Sequence, residues 1–385
     1  MTHPADDRER FDPLLRTEFP IDPELVYLNH AAVGALPARS RAAVEHFCVE
    51  ACQRPTRNYG LWLKAEDRLR ERLARLLGGV PAADIALTKN TSEAVSIVAA
   101  GFDWRPGDSI VLPTHEFPSN RMPWHALAAR GVTVREVELP PDGDPGPLLA
   151  ACDDSTRLVA ASWIRYETGT RLDVAELGSG CREREVLCFI DAIQGLGAMP
   201  FPADCADFVA GGSHKWLLAP EGVGYLYMSA ARRHALALQQ YGWRMLEPPF
   251  DFDRDGRGLT GTGRRFEPGT MNVMGVVGME ASLELLEELT IPAVSEAVVV
   301  RARQAMDRVD ASPHLERVTP LDAHAGIVAA SLRDPNESAD RVFRELNARG
   351  ITIAVRGGYL RFSPHCHTRA EQIDHAFDAL EEILS

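Results

Sequence analysis

Apolar residues recur at helical spacing over 39–50 and 65–77, and 85–88 is a short apolar run that reads as a strand. Asn90-Thr91-Ser92-Glu93-Ala94 follows as a helix start whose apolar stretch runs through residue 100. Beyond it the pattern alternates. Strands are predicted at 109–112, 133–139, 157–163, 187–190, 208–210 and 225–228, with helices at 121–129 and 174–184. Such alternation predicts an α/β fold with a mostly parallel sheet covered on both faces. Residues 251–263 are rich in Gly, Arg and Asp and read as a mobile connection. Helical patterns at 276–289 and 294–309 come next. A strand at 326–332, a helix at 339–348, strands at 351–355 and 360–363 and a last helix at 369–384 then predict a small α+β unit. The expected division is an arm over 1–25, a large domain over 26–265 and a small domain over 266–385.

Composition narrows the class. The chain has 385 residues, 45% of them hydrophobic and 25% charged, the balance of a globular protein long enough for two cores. A net charge of −14 argues against a nucleic-acid footprint, which needs a clustered basic face. No apolar stretch approaches the ~20 residues that span a bilayer. The first residues carry acids where a secretory signal carries basic and apolar regions, so a cytoplasmic location is expected. The seven cysteines are an odd number without CxxC spacing and read as free thiols. His365-Cys366-His367, taken as a strand, would put its histidines on one face and its thiol on the other, so no metal site is expected.

The chemistry centres on Lys215, in Gly211-Gly212-Ser213-His214-Lys215-Trp216. Upstream, Phe189-Ile190-Asp191 reads as a buried strand closing in a carboxylate. An aspartate ending one strand and a lysine in the next βα region are the two protein groups that pyridoxal 5′-phosphate (PLP) needs. The lysine holds the aldehyde as a Schiff base, and the acid keeps the pyridine nitrogen protonated. Thr91 and Ser92, at a helix start with unpaired amide N–H groups, suit a phosphate, although an ordinary N-cap has the same look.

These segments together resemble fold-type I PLP enzymes of the class V aminotransferase family. That family includes cysteine desulfurases, selenocysteine lyases, kynureninase and isopenicillin-N-epimerase-like proteins. The resemblance runs from Tyr27-Leu28-Asn29-His30 to Arg361-Phe362-Ser363-Pro364. It implies a large domain with a mostly parallel seven-stranded sheet, a small α+β domain and PLP as cofactor. It implies phosphate contacts from Thr91, Ser92 and His214, with Ser213 matching the kynureninase pattern. It implies a ring stacked on the pyridine by Phe117, and a hydrogen bond from Gln194 to the phenolic oxygen or phosphate. Tyr166, where desulfurases carry asparagine, is either a satisfied core tyrosine or a donor and acid in the site. Arg265-Phe266-Glu267-Pro268-Gly269-Thr270 matches a segment that crosses a dimer interface, so a homodimer with shared sites is implied, with Thr270 on the partner's phosphate. The alternative for Thr270 is a helix cap.

At the substrate end, Arg361 matches the arginine that grips an amino-acid carboxylate. Asn29 and His30 match a pocket-lining segment, though His30 alternatively caps the arm. The main departure is the loop before Arg361. Desulfurases carry Arg-x-Gly-x-x-Cys there, and here Arg356-Gly357-Gly358-Tyr359-Leu360-Arg361 contains no cysteine. The favoured reading is a lyase on a cysteine S-conjugate or a related β-substituted amino acid. Aminotransferase, epimerase and decarboxylation-coupled oxidative deamination are the alternatives.

Overall fold

The computed structural model describes residues 12–385. The first half of the expected arm therefore lies outside the described residues. The strands in chain order are β1 Val26–Tyr27, β2 Ile85–Thr88, β3 Ser109–Pro113, β4 Thr133–Val137, β5 Thr156–Ser162, β6 Leu187–Asp191, β7 Phe208–Gly212 and β8 Gly224–Met228. They continue with β9 Leu246–Glu247, β10 Gly258–Leu259, β11 Leu315–Arg317, β12 Val328–Leu332, β13 Ile351–Thr352, β14 Ala354–Arg356 and β15 Tyr359–Phe362.

Seven strands form one sheet in the order β2-β8-β7-β6-β5-β3-β4. β8 is antiparallel to both neighbours, and the remaining pairs are parallel. β6 is buried throughout because apolar layers cover both of its faces. One layer joins Val159, Ile190, Val209 and Tyr225 to Met279 and Leu283 of the helix Val273–Leu289. The other joins Leu158, Phe189 and Ala210 to Val95 and Val98 of the helix Thr91–Gly101. This is the mostly parallel α/β architecture expected from the alternation of strands and helices.

The second sheet is antiparallel, in the order β11-β12-β15-β14, and packs a separate apolar cluster with the helix Ala370–Leu384. The structure shares elements across the expected boundaries. β1 pairs in parallel with β13, and Val26 and Leu28 pack in the C-terminal cluster. The helix Val273–Leu289, beyond residue 265, packs in the large-sheet core.

Local departures have local causes. The helix expected at 121–129 is a short turn, Met122–His125, running into a 3-10 segment, Ala126–Arg130. Pro123 sits in its first turn, and Gly131 ends it at φ 78°. The strand expected at 351–355 divides at buried Ile353 into β13 and β14, which join different sheets. Within the stretch expected to be mobile, β10 pairs with β9 as a small ribbon. His365-Cys366-His367 is not a strand. The chain leaves β15 at Phe362 and turns, so all three side chains gather instead of alternating, with their potential ligand atoms within 4.8 Å of one another.

Candidate active site

The C-terminal ends of the parallel strands open on a cavity of about 240 Å3, where such sheets characteristically bind ligands. Its lining includes Thr91, Ser92, Phe117, Tyr166, Gln194, His214, Lys215 and Arg361. Residues far apart in sequence thus meet because β2, β3, β5, β6 and β7 all end on one rim.

One end suits an anion. Asn90 caps the helix Thr91–Gly101, its Oδ1 accepting from the Glu93 N–H at 2.9 Å. The first-turn N–H groups of such a helix have no intrahelical acceptor, and its dipole favours negative charge. Thr91 Oγ1 is buried without a partner, and the Ser92 hydroxyl donates to Ser119 Oγ at 2.7 Å. His214 lines the same space, its pKa lowered by burial and by Lys215. The Ser213 hydroxyl instead donates to the Pro220 carbonyl, and Ser213 does not line the cavity.

Lys215 follows β7 in a tight loop. The Leu218 N–H donates to the Lys215 carbonyl at 3.2 Å, and Leu218 holds a left-handed φ of 55°. From outside, the Gly34 N–H donates to the His214 carbonyl at 2.6 Å, and a side chain at Gly34 would collide with the Lys215 carbonyl. Lys215 is 9% exposed. Burial brings its pKa down to about 8, with Asp191 opposing and Arg361 and Arg356 reinforcing the shift. Asp191, 2% exposed at the end of β6, accepts from the Ile193 N–H at 2.9 Å. Burial raises its pKa to about 6, against the Ile193 hydrogen bond and the Lys215 charge. The two do not form an ion pair within 4 Å, so each has its charged form disfavoured by burial.

The remaining contacts fix orientation. The Phe117 ring is 5.4 Å from Lys215 Nζ and meets Tyr166 edge-on at 5.2 Å. Gln194 Nε2 donates to the Ala31 carbonyl at 3.1 Å while its Oε1 accepts from Trp216 Nε1 at 2.9 Å, which settles which end of the amide is which. The Tyr166 hydroxyl donates to Glu167 at 2.6 Å, and burial with this contact pushes its pKa up to about 12. Arg361, 1% exposed on β15, spends one N–H on the Tyr166 carbonyl at 2.7 Å. Its Nε and second NH2 are buried without partners. A guanidinium with an unanswered edge in a cavity is matched to a planar carboxylate.

Several sequence candidates fall elsewhere. His30 is fully buried. Its Nδ1 pairs with the Ser363 carbonyl at 3.0 Å and its Nε2 with His367 Nε2 at 3.1 Å. The parallel pairing of β1 with β13, extended by the Asn29–Ser363 bridge, carries the segment there. Neither Asn29 nor His30 lines the cavity; their neighbours Ala31 and Ala32 do. Thr270 is exposed outside it, and Asn272, not Thr270, caps the helix Val273–Leu289. Cys366 is buried beside His365 Nδ1 at 3.2 Å, with burial raising its pKa to about 12.

Other residues were missed. Glu116 precedes Phe117 and accepts from the Ser162 N–H, with its second oxygen 2.6 Å from the Ser162 hydroxyl. Burial first, and Asp191 further, raise its pKa to about 7 against these bonds. Its place in Glu116-Phe117-Pro118 was the only available signal. Ser119 and Arg356 also line the cavity.

The donor set fits PLP. A buried unpartnered hydroxyl and free helix-start amides suit its phosphate. A buried carboxylate lacking a close cation suits a protonated ring nitrogen, and a partly neutralised lysine suits its aldehyde. Fold and site together define a PLP-dependent enzyme of fold type I.

The model of the family described as aminotransferase class-V matches residues 26–374, and the chain belongs to that family. It is 31% identical to a probable cysteine desulfurase of Methanothermobacter thermautotrophicus, over 96% of this chain and 97% of that one. It is 32% identical to isopenicillin N epimerase of Streptomyces clavuligerus, over 94% and 96%. A lysine-to-alanine mutant of C-DES with glycine covalently linked to the PLP cofactor superposes with a TM-score of 0.89, at 25% identity over 95% and 99% of the chains. The cystine C–S lyase C-DES in complex with its product cysteine persulfide gives 0.88, at 25% identity over 94% and 99%. The cofactor of this enzyme is PLP.

Proposed function

We propose that this enzyme is a C–S lyase that eliminates the sulfur substituent from a cysteine S-conjugate or a related β-substituted amino acid. The hairpin between β14 and β15 carries the reading. Arg356 pairs directly with Tyr359, so only Gly357 and Gly358 form the turn, with φ of 58° and 83°. Two consecutive left-handed residues make a tight two-residue hairpin. It has no room for a cysteine-bearing loop, and Cys366 is buried away from the cavity. Sulfur transfer through a protein persulfide therefore lacks its nucleophile. The structural likeness to a cystine C–S lyase supports the same direction.

The chain's residues then divide the work. Thr91, Ser92 and His214 would hold the phosphate, Asp191 the ring nitrogen and Phe117 the ring face, with Lys215 as the point of covalent attachment. Bound there, PLP supplies an electron sink for bonds at the substrate Cα. Arg361 would grip the α-carboxylate through its unpartnered nitrogens and so orient the bonds at Cα. Lys215, on the same cavity wall, would act as the base that takes the Cα proton. The Cβ–S bond breaks and the thiolate leaves. With one water, the products are thiol, pyruvate and ammonium. Tyr166, committed to Glu167, shapes the wall beside Arg361.

The reading includes a two-fold dimer, because Thr270 is exposed outside its own cavity and so is available to a partner's phosphate site. It also includes a cytoplasmic location; among the described residues no helix is long and apolar enough to cross a membrane.

The test is product analysis on an S-substituted cysteine. Equal amounts of thiol, pyruvate and ammonium support the lyase. A keto acid that retains sulfur indicates transamination, the D-isomer indicates epimerisation, and carbon dioxide indicates decarboxylation; each overturns it.

A further inference from the structure

Three histidines and a thiol gather outside the cavity lining, against the loop that carries Lys215. The ring centroids of His30, His365 and His367 are 4.8 to 5.5 Å apart. One potential ligand atom from each of His365, Cys366 and His367 lies within 4.8 Å of the others. The chemistry proposed above uses none of these side chains.

The hydrogen bonds decide which nitrogen of each ring is free. Burial lowers the pKa of all three histidines, so each ring is neutral, with one N–H and one lone pair. The Ser363 carbonyl can only accept, so His30 Nδ1 carries the proton and His30 Nε2 is a lone pair. His367 Nε2, 3.1 Å from that lone pair, must donate to it. His367 Nδ1 is therefore a lone pair, and it is buried without a partner. His365 Nε2 faces the Trp216 carbonyl at 3.4 Å, so it carries the proton and His365 Nδ1 is bare. That Nδ1 lies 3.2 Å from Cys366 Sγ.

The surroundings suit ligation as well. A metal-binding histidine characteristically has its far N–H held by a carbonyl or another acceptor. Trp216 supplies this for His365, and His30, itself held by Ser363, supplies it for His367. Packing fixes the rings: His367 stacks on Phe19 at 3.9 Å and His365 on Trp216 at 5.5 Å. The Cys366 N–H donates to His365 Nδ1 at 2.8 Å, and a cation would displace this bond. His367 is the partly exposed member, so an ion would enter from its side.

We propose that His365 Nδ1, Cys366 Sγ and His367 Nδ1 bind a zinc-like divalent cation, with a water as fourth ligand and His30 orienting His367. Imidazole and thiolate together suit Zn2+, whereas Mg2+ and Ca2+ prefer oxygen. On binding, the thiol proton leaves to solvent and the thiolate sulfur takes the metal in its place. Tetrahedral zinc with bonds of about 2.0–2.3 Å needs ligand atoms roughly 3.3–3.8 Å apart, so binding draws the group in by about 1 Å. The bound ion would tie the turn after β15 to the Trp216 carbonyl, next to Lys215. Its role is stabilising, and it is independent of the lyase reading.

The experiment equilibrates the PLP-loaded protein with low-micromolar zinc chloride. Bound zinc is measured by elemental analysis, its ligands by X-ray absorption, and stability by Tm. The expected result is about one zinc per chain, with one sulfur at about 2.3 Å, nitrogens at about 2.0–2.1 Å and a raised Tm. Cys366→Ser should remove the sulfur signal, and His367→Gln should weaken binding on the order of tenfold or more. Cys48 and Cys52 are exposed on the helix Ala38–Gln53, and the double variant Cys48→Ala, Cys52→Ala should bind as wild type does. That variant decides the question even if a cluster variant fails to fold, because among the described residues no other thiol belongs to such a group. No bound zinc, zinc without a sulfur ligand, zinc lost from the Cys48 and Cys52 double variant, or undiminished binding in both Cys366→Ser and His367→Gln would overturn the proposal.

Discussion

Lys215 Nζ stands 5.4 Å from the centroid of the Phe117 ring, and the two residues border one cavity. The other lysines, Lys64 and Lys89, are exposed, and Lys89 pairs with Glu93. Borohydride treatment of the PLP-loaded protein should therefore fix the cofactor on Lys215, and Lys215→Ala should yield no labelled peptide. Phe117→Ala should keep the label site but weaken cofactor retention on the order of tenfold, the scale of a lost aromatic contact. Label on Lys64 or Lys89 would remove the assignment.

Cofactor capture by the free protein should depend on pH through Lys215, because only the neutral amine attacks an aldehyde. Its pKa of about 8 places the rise in capture rate near that pH. Arg356 lowers this value and Asp191 raises it. Arg356→Gln should therefore move the midpoint up, and Asp191→Asn should move it down. Stopped-flow absorbance across pH 6–10 would read both signs.

Glu116 and Asp191 make the cofactor-free protein sensitive to pH. Their folded pKa values, about 7 and about 6, lie above ordinary values of 4.5 and 3.8. The folded state thus binds more protons between those limits. Stability contributed by these groups is present below the ordinary values and is lost as pH rises through the folded ones. The Tm of the free protein should fall from pH 5 to pH 8, and Glu116→Gln should flatten part of that fall. Added PLP should recover more Tm at pH 8 in wild type than in Asp191→Asn, since the ring nitrogen's charge offsets the burial of Asp191.

Arg361 is buried with its Nε and one NH2 unpartnered, so a carboxylate there gains a two-point contact. Arg361→Lys keeps the charge and loses the fork. It should lower kcat/KM about 10- to 100-fold, with KM raised and kcat also reduced, because orientation at Cα is lost along with affinity. A change confined to KM would mean that Arg361 binds substrate without orienting it.

Much of this site was legible because it lies on regular elements. Asp191 ends a strand whose burial was plain from its apolar run, and Asn90-Thr91-Ser92 announces a helix start that the structure contains. The misplaced residues depend on long-range pairing. His30 is drawn into a buried group with His365 and His367 by the pairing of β1 with β13, some 325 residues apart in sequence. Ser213 precedes the critical lysine by two residues, yet its hydroxyl satisfies the Pro220 carbonyl across the loop. Arg356 was given no role from the sequence, and only the register of β14 against β15 puts it on the same face as Arg361. Glu116 gave no periodic signal, since its partner Ser162 is on another strand.

The central claim is elimination without a protein persulfide, and the pyruvate-to-alanine ratio tests it most directly. Elimination from a cysteine S-conjugate gives pyruvate, whereas desulfuration through a protein thiol gives alanine and leaves sulfur on that thiol. The measurement is chromatography of both products from wild type and Cys366→Ala, with intact-protein mass recorded after turnover. Pyruvate as the main product in both proteins, at rates within about twofold as for a residue outside the cavity, with no added sulfur mass, is the predicted result. Alanine as the main product, together with a persulfide on wild type that Cys366→Ala lacks, would contradict it.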